Sequence, residues 1–195
     1  MKRVLVGAAN RVLAMAGCEL IRTSGELAPD NSLMIDEDLQ RSLEDELAAV
    51  AQSFFLENLP DYSGSTETLA GDVKGFFELY RRKPRGRNIG GSGFHNLFWL
   101  YLVGRAVEPE LFIESGVWRG HATWFIEQAI PDADIHGFDL DLGYVESSAY
   151  RNVHFHEYDW TEHSFERAST RRSVVFFDCH QNHARRILEA SQVGL

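Results

Sequence analysis

From residue 110 onward, short apolar runs alternate with helix-forming stretches, and this rhythm restricts the chain more than any other feature. LFIES (111–115), IHGFD (135–139), VHFHEYD (153–159) and SVVFFD (173–178) read as strands. Between and after them, helices are expected at 120–129, from Thr161 to Ala168, and from His180 to Ser191. Such alternation implies right-handed crossovers and an α/β fold, a parallel sheet with helices on both faces. The β-branched and aromatic run SVVFFD is typical of a central parallel strand. In sheets of this kind ligands bind beyond the carboxyl ends of the strands.

The first hundred residues have a different period. Leu39, Leu43, Leu47, Val50 and Phe54 step by four, four, three and four, which predicts one face of a long helix, with Asp36, Glu37 and Asp38 at its positive end. That stripe is expected to dock on the rest of the domain or on a partner chain. A second helix is expected from Thr66 to Arg82, with Leu69, Val73, Phe76, Phe77 and Tyr80 on one side. RRKPRGRNIGGSG (81–93) is basic, proline-broken and glycine-rich, hence a loop, and Phe94 to Val107 is a nearly continuous apolar helix. The chain thus divides into an N-terminal helical region with its basic loop (1–109) and a ligand-binding α/β unit (110–195).

The extreme N-terminus, MKRVLVGAANRVLAMAGC, has the basic start and small-residue Cys site of a lipoprotein signal. Asn10 and Arg11 interrupt its apolar run, and Val4, Leu5, Ala8, Val12 and Ala16 recur at helical spacing, so an amphipathic helix is expected instead. No stretch approaches the length of a transmembrane helix. Cys18 and Cys179 form no metal or redox spacing, which fits a reducing, cytoplasmic setting. The net charge of −10 includes −6 over residues 111–195, and an acidic α/β half argues against nucleic acid as the main partner.

Each strand ends in or beside a carboxylate: Glu114, Asp139, Asp159 and Asp178. One such group is commonly a cap or a solvated side chain. Four on one edge would repel a pyrophosphate and welcome hydroxyls, amines and a cationic centre. The turn after the first strand points the same way. ESGVWRGHAT bends over Gly116 and Gly120, but Trp118 stands where a dinucleotide motif has the glycine that lets backbone approach a pyrophosphate. S-adenosylmethionine has no phosphate, so that glycine is dispensable. Asp139, twenty-three residues after Gly116, is placed to accept hydrogen bonds from ribose hydroxyls.

IESGVWRGHAT resembles the first motif of class I S-adenosylmethionine-dependent methyltransferases. It is nearest the group of macrocin and rhamnosyl O-methyltransferases and cephalosporin hydroxylase-like proteins. IHGFD, HEYDW and FFDCHQNHARR are similar to that group's second, third and fourth motifs, so the resemblance covers about residues 90 to 195. It implies a Rossmann-like sheet and a methyltransferase. Glu114, Gly116 and Gly120 would hold the methionine part, Asp139 the ribose, and Asp159 with Trp160 the adenine. Asp178 and His180 would face the acceptor, His180 as the base and Asp178 orienting it or helping to bind a divalent ion such as magnesium, as in some members of the group. The spacing of Asp178, His180 and His183 is too loose to assign a metal site, and Cys179 reads as packed rather than nucleophilic.

By analogy the acceptor is a hydroxyl of a sugar or glycosylated small molecule. The basic loop 81–87 would then meet a phosphate on a nucleotide-sugar or lipid-linked glycan, or is simply solvated, and Gly90–Gly93 would cover the cofactor. The group's sheet has seven strands and only four are counted here. The expectation is a piece of a longer protein, or an edge covered by the N-terminal helices or by a partner chain, with a homo-oligomer through the N-terminal helices left open. Two other readings stay open: a non-catalytic binding or assembly module using the acidic helix, and a nicotinamide-dependent oxidoreductase, which the Trp118 spacing disfavours.

Overall fold

A computed structural model describes residues 37–59, 61–84, 90–165, 171–179 and 181–195, together with the backbone of two short strands near the N-terminus. The helix expected at residues 4–16 and the loop core at 85–89 lie outside the described residues. The two N-terminal strands, β1 (Cys18–Leu20) and β2 (Leu27–Pro29), pair antiparallel, a ribbon in a region read from sequence as helical.

Three helices follow, α1 (Glu37–Asn58), α2 (Thr66–Arg82) and α3 (Phe94–Val107). The α2 bounds are those its periodicity predicts, and Leu69, Val73, Phe76, Phe77 and Tyr80 are all buried. Ser65 caps it, its side chain accepting from the Thr68 N–H, which satisfies one of the orphan donors of a helix start.

The expected stripe on α1 is corrected. Leu39, Val50 and Phe54 are exposed, and the buried face runs through Gln40, Ala48, Ala51 and Phe55. Small alanines let α1 lie close against α2, and that approach turns the larger aliphatic residues to the flank.

The sheet contains β3 (Leu111–Ser115), β4 (Asp134–Phe138), β5 (Val153–His156) and β6 (Ser173–Phe177), all parallel, in the order β5-β4-β3-β6. Helix α4 (His121–Ala129) joins β3 to β4, and α5 (His183–Gln192) follows β6. The strand order reverses beside β3, whose five residues are all buried. A crevice therefore opens at the carboxyl ends of β3 and β6.

Two expectations change here. The segment expected as a helix from Thr161 is a single 3-10 turn, Trp160–Glu162, and residues 166–170 lie outside the described residues. Among the described residues β6 lies at the edge of the sheet and is half-buried along its length.

Helices α1 to α3 share one core with β3, β4 and α4. Its centre is Phe76, whose ring lies 5.2–5.9 Å from those of Phe77, Tyr80, Phe94, Phe98, Tyr101 and Phe125. Gly104 lets α3 press on α4, since a Cβ there would sit 3.1 Å from the Ala129 Cβ. The second face of the sheet carries a smaller cluster built on Leu111, Ile113, Phe138, Trp160 and Ala190.

Candidate functional site

The strand ends are held level by backbone hydrogen bonds. The Asp178 N–H donates to the Ser115 carbonyl (2.8 Å), Gly116 N–H to Phe138 (2.8 Å) and Asp139 N–H to His156 (3.1 Å). Above them lies a cavity of about 630 Å³ lined by Glu114, Gly116, Asp139, Asp159 and Asp178, five of the eight residues the sequence nominated. Its size is that of a small-molecule pocket.

Gly116 has φ +99, and a Cβ on it would lie 2.6 Å from the Asp178 backbone, so no other residue fits between the two strand ends.

Glu114 is 1% exposed. Its Oε2 accepts from the Thr123 hydroxyl, while Oε1 has no partner among the described residues. Burial pushes this carboxyl up to about 8. The Thr123 hydrogen bond opposes the rise, and the neighbouring charges of Asp178 and Asp139 add to it. An acid in this position is primed to receive a cation or a donor.

Asp139 is fixed by two backbone donors, the N–H of Trp118 at 2.8 Å and that of Asp141 at 3.2 Å. Each of its oxygens keeps accepting capacity for a ligand. The Trp118 bond comes at a conformational cost. Trp118 sits at φ +53, a left-handed geometry rare for a bulky residue. Its ring leans on that of Tyr144, centroids 4.9 Å apart, and both line the cavity.

Asp178 accepts from the Ser92 hydroxyl at 2.7 Å, which ties the Gly90–Gly91–Ser92 turn to the cavity rim.

Asp159 is engaged differently from what the sequence suggests. It receives both terminal nitrogens of Arg186 from α5 and caps the 3-10 turn through the Thr161 N–H. Burial resists its ionisation, but the bonds from Arg186 and Thr161 prevail and hold it at about 2.

Trp160 is not on the cavity at all. It is buried against Phe177 at 5.6 Å, and its Nε1 has no partner among the described residues. Trp160 opens the 3-10 turn and packs into the cluster against the sheet, whereas Tyr158 and Asp159, just before it, line the cavity.

Gly120 is also off the lining. It adopts φ +77 as the N-cap of α4, and the Tyr150 hydroxyl donates to its carbonyl at 2.8 Å, where a Cβ would collide. His180 lies outside the described residues.

Sequence reasoning missed Ser92, Tyr144 and Arg186. Ser92 was marked only by its glycine-rich surroundings. Arg186 carried a fainter signal, as the residue that a strongly amphipathic α5 turns inward.

No protein-family model matches the chain, and no curated protein matches it significantly. Among solved structures it is similar to CmcI with SAH bound, at 19% identity and a TM-score of 0.45, covering 60% of this chain and 70% of that one. It is similar to the Mg-SAM form of CmcI at 18% identity and a TM-score of 0.43, covering 60% of each chain. The SAH-bound methyltransferase PaMTH1 of Podospora anserina matches at 15% identity and a TM-score of 0.41, covering 84% of this chain and 67% of that one. The chain thus spans roughly two thirds of the length of these structures. The chemistry is read from the cavity itself.

Proposed function

We propose that the cavity holds S-adenosylmethionine and that the protein is a methyltransferase acting on a hydroxyl of a small molecule, a sugar or a glycosylated compound. The observation that carries this reading is Glu114: a buried carboxyl with one oxygen unpartnered among the described residues, beside a glycine turn at the strand-order reversal. Few ligands bring an ammonium group, a diol and an aromatic base to one acidic edge. The residues present fit that set.

Glu114 would accept from the ammonium of the amino-acid part, losing its proton as it does so. Asp139, already oriented by two N–H donors, would take the ribose hydroxyls. Trp118 and Tyr144 line the cavity with aromatic surface, and the paired Asp159 and Arg186 line it as well. When bound, S-adenosylmethionine supplies a methyl group on a sulfonium centre. On the acceptor side, His180 is our candidate for the base that removes the hydroxyl proton. Asp178 orients it or holds a divalent ion such as magnesium.

A second reading, a binding or assembly module without turnover, has one observation in its favour. Leu39, Val50 and Phe54 are exposed along one flank of α1, a surface suited to a second copy or another partner.

Calorimetric titration with S-adenosylmethionine, S-adenosylhomocysteine and NAD tests the cofactor. Binding of the first two and not of NAD supports the proposal, and the converse removes it. Release of S-adenosylhomocysteine in a screen of hydroxylated sugars and glycosides, with and without magnesium, then separates the enzyme from the module.

A further inference from the structure

On the face of the sheet away from the aromatic core, β4 and β5 place their alternate residues side by side. His136, His154 and His156 stand there where a packed sheet would carry aliphatic side chains. The turn after β5 returns His163 to the same place. His136, His156 and His163 each offer a ring nitrogen, and the three nitrogens lie within 4.8 Å of one another. His136 Nδ1 and His156 Nε2 stand 3.0 Å apart. A tetrahedral zinc ion with Zn–N bonds of 2.0–2.1 Å needs its nitrogens about 3.3 Å apart, so small side-chain rotations bring this cluster to a binding geometry. We propose that His136, His156 and His163 form a binding site for a zinc-like divalent ion, distinct from the cavity.

The groups behind the histidines support the assignment. A metal-bound imidazole characteristically donates its other N–H to a carboxylate or another acceptor, which fixes the ring and its tautomer. His136 Nε2 lies 3.0 Å from Asp134 Oδ1, and Asp134 is in turn held by Arg171 at 3.0 Å. The Tyr158 oxygen stands 3.1 Å from His156 Nδ1 and 2.8 Å from His163 Nδ1. A phenol oxygen accepts from two N–H groups, so the tautomers that free His136 Nδ1 and the Nε2 atoms of His156 and His163 for an ion are the ones these partners favour.

The rings are also held from the sides. Phe138 stacks on His156 at 4.5 Å and Phe165 packs on His163 at 4.6 Å. All three histidines are half-buried, which leaves a path for an ion and a fourth ligand. Three imidazoles select zinc, cobalt, nickel or copper over magnesium and calcium, which require oxygen ligands.

Such an ion would tie β4, β5 and the turn carrying His163 together. Tyr158 spans both sites, lining the cavity while bridging two of the ligands. The metal would therefore stiffen the wall that Tyr158 and Asp159 provide. This inference does not depend on what the cavity binds.

The test uses the full chain, free of any affinity tag and dialysed against a chelator. Titration with Co²⁺ should reach one ion per chain, with the intense visible bands of four-coordinate cobalt, and Zn²⁺ should displace it. Zinc should also raise the melting temperature. His163→Gln, which keeps the size of the turn residue, should weaken cobalt binding by roughly 100-fold or more and abolish the thermal shift. Asp134→Asn should weaken binding by about 10–100-fold, the usual cost of an outer partner. His95→Ala, on α3 and remote from the triad in sequence, should change nothing. Failure to bind cobalt or zinc would overturn the proposal, as would a folded His163→Gln that binds them as tightly as the unaltered chain.

Discussion

The two faces of one sheet are built by different rules. Towards α1–α4, Phe112 and Ile135 enter a continuous core of phenylalanine, tyrosine and leucine. On the opposite face, β4 and β5 present His136, Phe138 and His156 to a thin cover that includes Tyr158 and Phe165, and His154 largely to solvent. The first face is where burial of apolar surface stabilises the fold. The second is half-wet and rich in ring nitrogens. The cavity lies across the strand ends between them, where a buried carboxyl is left short of a partner. Groups free to do chemistry thus lie away from the core in which side chains already satisfy one another.

The sharpest test of the first face is Phe76→Ala. Removing the ring that six others touch should cost about 3–5 kcal/mol, read as a lower urea midpoint with cofactor affinity measured on the surviving folded fraction. A cost below about 1 kcal/mol would mean the aromatic cluster is not the fold's anchor.

The strand-end region should respond to pH instead. The folded state holds the Glu114 proton up to about 8, whereas the unfolded chain loses it near 4.5. Between those values the native state binds the extra proton, so ligand-free stability should fall as pH rises, by up to about 1.4 kcal/mol per pH unit, and level off above about 8. Glu114→Gln should flatten that slope, and an unchanged slope in the variant would assign it to another group.

Asp139→Ala should weaken S-adenosylhomocysteine binding by about 1.5–3 kcal/mol, the range for hydrogen bonds to a charged group. Unchanged affinity in a folded variant would move the ribose site elsewhere.

The smallest effect belongs to Trp118. Trp118→Gly relieves a strained φ worth about 1–3 kcal/mol while losing the contact with Tyr144. Stability should therefore stay within about 1 kcal/mol while ligand affinity falls. A variant that binds normally would make Trp118 a mere turn residue.

What the sequence disclosed followed from periodicity. The bounds of helices α2 and α3 and of strand β3 were readable from their apolar patterns, and for α2 the buried face as well. Helix α1 was located but its face was not, because a reading by side-chain size favours Leu39, Val50 and Phe54 over the alanines that permit close packing. The gathering of Glu114, Gly116, Asp139, Asp159 and Asp178 at one cavity was legible from strand ends alone. Trp160 was misplaced because it opens a short 3-10 turn whose residues carry no apolar period, so nothing in the sequence marks its ring as facing the core. The Asp159–Arg186 pair and the histidine cluster join residues from separate elements with no fixed spacing, so no local pattern announces them.

The most direct measurement of the central claim is titration of S-adenosylhomocysteine at pH 7 in buffers of different ionisation enthalpy. If its ammonium meets Glu114, the protonated carboxyl must ionise on binding. The observed heat should then vary with buffer in proportion to the release of about one proton per site, and the dependence should vanish in Glu114→Gln. Binding with no buffer dependence in the unaltered protein, or no binding at all, would contradict the account.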